Sequence, residues 1–112
     1  MSPEIKESVI AFIENCDYFK GKQIHIRTAL STNGENFDRH FTTFTTITFE
    51  LKHLSGRVSG ARMMLDGANQ SFEIAMYLIK KFDVLENDTV EILEQYAEKI
   101  FRKTVIRFEI KT

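Results

Sequence analysis

The run Phe41-Thr42-Thr43-Phe44-Thr45-Thr46-Ile47-Thr48-Phe49-Glu50-Leu51-Lys52 limits this chain more than any other segment. Threonine, isoleucine and phenylalanine favour extended backbone, and a strand turns alternate side chains to opposite faces. The odd positions Phe41, Ile47, Phe49 and Leu51 suit a core. The even positions Thr42, Thr46, Thr48, Glu50 and Lys52 suit water or a partner. Phe44 falls on the polar side. The pattern predicts a long strand in a sheet with one buried face and one open face.

The neighbouring segments extend this picture. Ile5, Val9, Phe12, Ile13 and Cys16 recur at helical spacing over Pro3–Cys16, with Ser2 as N-cap and Pro3 at the first helical position. A strand is expected from Lys22 to Ser31, with Ile24, Ile26, Thr28 and Leu30 inward and Gln23, His25, Arg27 and Ala29 outward. It forms an antiparallel hairpin with the threonine-rich strand across the polar loop Ser31–His40, where Asn33-Gly34 is a turn dipeptide. Leu54-Ser55-Gly56-Arg57 reads as a second turn. Val58–Leu65 is a third strand or the start of a helix, and Asp66-Gly67 ends it.

Phe72, Ala75, Met76, Ile79 and Phe82 predict a second helix over Asn69–Phe82. Val90, Leu93, Ala97, Ile100 and Phe101, preceded by Asp88 and Glu91 in capping-box spacing, predict a third over Asp88–Arg102. Thr104, Ile106, Phe108 and Ile110 alternate with Val105, Arg107, Glu109 and Lys111 in a last strand. The expected fold is therefore α+β, in the order α-β-β-(β)-α-α-β. One antiparallel sheet of three to four strands has one face covered by three helices, in a single domain over residues 1–112.

The 112 residues are 43% hydrophobic and 28% charged, enough for one ordinary core. The net charge of −1 argues against a general polyanion binder. Charge is nonetheless uneven. Residues 83 to 98 carry Asp83, Glu86, Asp88, Glu91, Glu94 and Glu98 with no Lys or Arg, whereas Lys99, Arg102, Lys103, Arg107 and Lys111 follow against Glu109 alone. The simplest account is a helix with its dipole complemented at both ends. One cysteine allows no internal disulfide, and the N-terminal segment lacks the apolar core of a signal peptide, so a cytoplasmic location without membrane insertion is expected.

No residue grouping announces a reaction. His25, His40, His53 and Cys16 lack metal-ligand spacing. Cys16 on an apolar stripe reads as a core thiol. Glu91, Glu94 and Glu98 read as neighbours on a solvated helix face. The phosphate-cradling and dinucleotide glycine patterns are missing. The chain is read as non-enzymatic, without cofactor or metal.

What remains is the open sheet face, where His25, Arg27, Phe44, Thr46, Thr48 and Arg107 gather, with Phe37 in the adjoining loop. Phe37 either anchors a partner or folds back on the core. The preferred expectation is a protein-binding or regulatory module that self-associates as a homodimer through this face or the edge of the threonine-rich strand. Single-stranded RNA or DNA binding through the same basic face is the alternative. A small-ligand site using Tyr77, Arg62 and Met63, with Gly60 and Gly67 giving close backbone approach, is a third.

Overall fold

The computed structural model describes residues 3–32, 37, 42–57, 62–86 and 88–109. Helix α1 (Pro3–Glu14) and a 3₁₀ turn (Cys16–Phe19) lead into strands β1 (Gln23–Ser31), β2 (Thr42–Glu50), β3 (His53–Arg57), β4 (Arg62–Asp66) and β5 (Ser71–Ala75). A second 3₁₀ turn (Met76–Leu78) precedes β6 (Ile79–Glu86), β7 (Thr89–Ala97) and β8 (Ile100–Phe108). The strands form a five-stranded sheet in the order β2-β1-β8-β7-β6 and a three-stranded sheet in the order β3-β4-β5. Every pairing is antiparallel.

Two stretches of chain connect the sheets. The chain passes from β2 through Leu51 and Lys52 into β3, and from β5 through the second 3₁₀ turn into β6. The last strand, β8, then pairs with the first, Ile26 opposite Ile106, which brings both to the middle of the larger sheet. One hydrophobic cluster joins both sheets to α1, including Val9, Ile24, Ile26, Leu51, Met63, Ile74, Ile92, Ile106 and Phe108. At one end the rings of Phe12, Phe19, Phe82 and Phe108 pack together, with Phe19 stacked 4.0 Å from Phe108. Helix α1 lies against β6 and β3 with Val9 and Phe12 buried. No helix of the described residues is long and apolar enough to cross a membrane.

The expected α+β fold with three helices over one sheet is thus overturned: the protein is mostly β, with one α-helix and two sheets among the described residues. The reason for the false second helix is specific. Ala75, Met76, Ile79 and Phe82 are all buried and Phe72 is half-buried, as a helical stripe requires. They are buried because a one-turn 3₁₀ element between two strands shifts the inward-facing parity, which imitates a period near 3.6.

The false third helix rested on the stripe Val90, Leu93, Ala97, Ile100 and Phe101 and on the capping-box spacing of Asp88 and Glu91, but Leu93 is half-buried on the outer face of β7 and Ala97 and Ile100 are exposed. Val90, Ile92 and Glu94 in fact alternate inward, and pairing with β8 outweighs the local helical preference. Leu54–Arg57, read as a turn, is strand β3 paired with β4. Residues 62–65 are strand rather than helix, while Gly60 and the rest of 58–61 lie outside the described residues, as do Ser2, Asn33, Gly34, His40, Phe41, Ile110 and Lys111. The side chain of Cys16 does too.

The β1–β2 hairpin forms, with Gln23 opposite Glu50 and Ser31 opposite Thr42. Two side chains depart from its expected alternation. Leu30 is 48% exposed, and Ala29 is buried at 4% on the supposedly wet face. On the inner face Leu30 and its partner Thr43 are both exposed, while on the outer face Ala29 lies beside Phe37 and Phe44.

Gly67 opens the turn between β4 and β5, its N–H donating to the Gln70 carbonyl at 2.8 Å. A Cβ there would stand 2.7 Å from Cδ2 of Phe49 and 3.2 Å from the Glu50 carbonyl oxygen. Phe49 is itself buried, so its ring has little room to yield. Gly67→Ala is expected to cost about 1–3 kcal/mol of stability through overpacking. Chemical denaturation of the two proteins measures it.

Candidate functional site

The outer face of the five-stranded sheet collects the residues singled out from the sequence. The antiparallel registers set Thr48 beside His25 and His25 beside Arg107, Thr46 beside Arg27 and Arg27 beside Val105, and Phe44 beside Ala29 and Ala29 beside Lys103. The guanidinium of Arg27 lies 4.9 Å from the centre of the Phe44 ring. Phe37, from the loop between β1 and β2, lies over the same face, with Nζ of Lys103 4.9 Å from its ring centre. Lys103 also reaches Oε1 of Glu91 at 3.6 Å.

Arg27, Ala29, Phe37, Phe44, Lys103 and Val105 line a cavity of about 270 Å³. The lining thus joins two aromatic rings, two cations and two small apolar side chains. Phe44 is 42% exposed. Among the described residues neither Arg27 nor Arg107 has a carboxylate partner.

His25 is held differently. Its Nε2 lies 3.0 Å from Oε1 of Glu109, and its Nδ1 lies 3.0 Å from the Thr48 hydroxyl oxygen. The carboxylate can only accept, so Nε2 donates, and in the neutral ring Nδ1 accepts the threonine proton. The imidazole is therefore tied across β2, β1 and the end of β8 rather than presented freely. Of the predicted set, Arg27, Phe37 and Phe44 frame the cavity, Thr46 flanks it, and His25, Thr48 and Arg107 continue the face. Lys103 and Val105 complete the lining.

The small-ligand arrangement does not assemble. Met63 is fully buried in the core, Arg62 is exposed and pairs with Glu73 at 3.6 Å, and Tyr77 is 57% exposed. The close approach at Gly67 is to Phe49 and Glu50 rather than to a ligand. Among the described residues no three of His, Cys, Asp and Glu are grouped so as to hold a metal ion.

One cluster escaped the sequence reading entirely. Glu94, taken for a solvated helix residue, is fully buried. Its Oε1 accepts from Nε of Arg102 at 2.8 Å and from Nη2 at 2.7 Å. Its Oε2 accepts from the Tyr96 hydroxyl at 2.7 Å and from the Ala75 backbone N–H at 3.0 Å. Arg102 donates in turn to the Glu73 carbonyl at 2.8 Å and lies over the Phe72 ring. The signal was the turn Glu98-Lys99: reading the flanking runs as strands pairs Glu94 directly with Arg102, as the register does. This cluster ties β5 of the smaller sheet to β7 and β8 of the larger.

Compared with protein-family models, with curated proteins and with solved structures, the chain matches none. The fold is an antiparallel two-sheet arrangement whose larger sheet presents cations and aromatic rings on one outer surface.

Glu94→Gln leaves Arg102 without its counter-charge, and loss of one partner from a buried pair costs about 3–5 kcal/mol. Replacing both (Glu94→Leu with Arg102→Met) is expected to remain destabilised, because the Ala75 N–H and the Glu73 carbonyl lose their partners. Urea titrations of the single and double variants distinguish this clasp from a simple ion pair. Burial, followed by the hydrogen bond to Glu94, pushes the Tyr96 phenol up from 10.0 to about 12. Between those values the unfolded chain releases a proton that the folded protein keeps. Stability is therefore full below the lower value and falls as pH rises through the window. Tyr96→Phe should flatten that alkaline limb in denaturation curves taken across it.

Proposed function

We propose that the protein is a non-enzymatic binding module that self-associates by pairing the free edge of β2 with the same edge of a second copy. One contrast carries the reading: the five-stranded sheet has two edge strands, and only one of them is guarded. Strand β6 has Lys80, Lys81, Asp83 and Glu86 exposed, two register irregularities, and α1 packed nearby. Charges, bulges and covering elements are the devices that keep edges from pairing. Among the described residues strand β2 has none of these from Thr42 to Phe49, and its register with β1 is unbroken.

The composition of β2 favours a second copy as occupant. Any antiparallel self-pairing of residues 42–48 brings together only Thr, Phe and Ile, with no like charges opposed, and such cross-strand pairs are favourable. Residues 43–46 are exposed on both faces, so the edge is open to an approaching strand. Glu50, paired with Lys52 beyond the strand, marks where the charge-free stretch ends. A lone cysteine fits a reducing cytoplasmic setting for this assembly.

Light scattering coupled to size exclusion is expected to give twice the monomer mass for the wild type. Thr43→Lys with Thr45→Lys, which places charges on the edge without touching a buried residue, should give the monomer with unchanged circular dichroism and thermal melting. A wild type that stays monomeric at high concentration would falsify the reading.

A further inference from the structure

We infer that the cavity between Phe37 and Phe44 is a binding site for a nucleoside phosphate, with the base stacked on the rings and the phosphate held by Arg27. The cavity joins the two chemistries such a ligand needs. Its lining combines two aromatic rings, Phe37 and Phe44, with the small apolar side chains of Ala29 and Val105. Bases stack on aromatic side chains and on guanidinium planes with little regard to sequence. The guanidinium of Arg27 already lies 4.9 Å from the centre of the Phe44 ring, and among the described residues no carboxylate pairs with it. The volume of about 270 Å³ admits one base with its sugar and excludes a folded domain.

The surrounding charges extend the site along a strand. Lys103 and Arg107 flank Val105, the direct neighbour of Arg27, on either side. Diagonal neighbours in an antiparallel pair are about 7–8 Å apart. Lys103, Arg27 and Arg107 therefore step across the face at about the interval between phosphates of an extended single strand. Glu91 opposes Lys103 at 3.6 Å and Glu109 is engaged by His25, so Arg27 and Arg107 are the cations left for phosphate. The shared chemistry fits a free mononucleotide or one unit of a single-stranded nucleic acid, and it requires no pairing of β2.

Fluorescence of a base-analogue oligonucleotide of about ten residues, within the usual footprint of such surfaces, tests it at low salt, beside a free nucleoside monophosphate. Saturable binding with quenched base fluorescence is expected. Phe44→Leu, which keeps apolar bulk but removes the ring, should weaken it roughly ten-fold. Arg27→Ala should lower the slope of log affinity against log salt by about 0.7, the loss of one phosphate contact on a single strand. Lys99→Ala, an exposed charge in the β7–β8 turn, is the control and should change nothing. Tight binding of the oligonucleotide with weak binding of the monophosphate assigns the site to a strand; equal binding assigns it to the free nucleotide. No binding of either ligand overturns the inference. So does binding that Phe44→Leu leaves intact and that inorganic polyphosphate displaces equally well, because that is charge alone. The monomeric Thr43→Lys, Thr45→Lys protein should bind the nucleoside monophosphate, which occupies one cavity, as the wild type does, so failure of the edge pairing and failure of this site give different results.

Discussion

Backbone hydrogen bonding at the two corners where the chain leaves one sheet for the other is the constraint on which this fold depends. A strand that changes sheets abandons its ladder, and its N–H and carbonyl groups must find other partners or bear the cost of burial without them. At the first corner the backbone solves the problem. Leu51 exchanges bonds with the Gly21–Lys22 segment, at 2.8 Å and 2.9 Å, and the Lys52 N–H reaches the Asp66 carbonyl at 2.8 Å. At the second corner side chains do so: Glu94 accepts from Ala75, and Arg102 donates to the carbonyl of Glu73. A carboxylate buried in this way is tolerable because each of its oxygens is engaged and its charge is matched by the arginine.

That second corner also explains the distribution of charge along the chain. The acidic block ending at Glu98 and the basic block beginning at Lys99 meet at a tight turn, so they lie side by side as β7 and β8. Glu91 reaches Lys103 on the outer face, and Glu94 reaches Arg102 inside. What reads as the polarity of a single helix is the complementarity of two paired strands. Helix dipole and hairpin make the same demand on the sequence order of charges, acid first and base second, and only the position of the turn separates them.

The parts legible from sequence were those where one periodicity held without interruption. Residues 3–14, 23–27 and 104–108 kept their pattern, and helix α1, the β1–β2 hairpin and the inward set of Thr104, Ile106 and Phe108 follow from it. Legibility failed where the period changed within an element. Met76–Leu78 shifts parity between β5 and β6, and the resulting spacing of Ala75, Met76, Ile79 and Phe82 satisfies a helix as well as it does a bent strand. The outer face was legible for a related reason. Its residues sit on β1, β2 and β8 in unbroken register, so alternation alone brought Arg27, Phe44 and Arg107 to one side. Phe37 and Lys103 were harder: one lies in a loop without periodicity, and the other lies in a segment assigned to the false helix.

The first corner links the proposed binding face to the edge of β2. Because the chain departs into β3 after Glu50, β2 has a neighbour on one side only, and the face it shares with β1 and β8 ends at an open boundary. The cavity lies one strand in from that boundary, with Phe44 on β2 itself. Pairing of β2 with its copy would leave both Phe44 rings on the outer surface, since strand addition uses the main chain and keeps the alternation of side chains. The joined sheets would carry two cavities on one continuous face, each with its own Arg27 and Arg107. A single extended strand bound across the seam would then gain from both sites at once, through the raised effective concentration of the second. Edge pairing and face binding are thus compatible in geometry, because one consumes backbone groups in the plane of the sheet and the other uses side chains perpendicular to it.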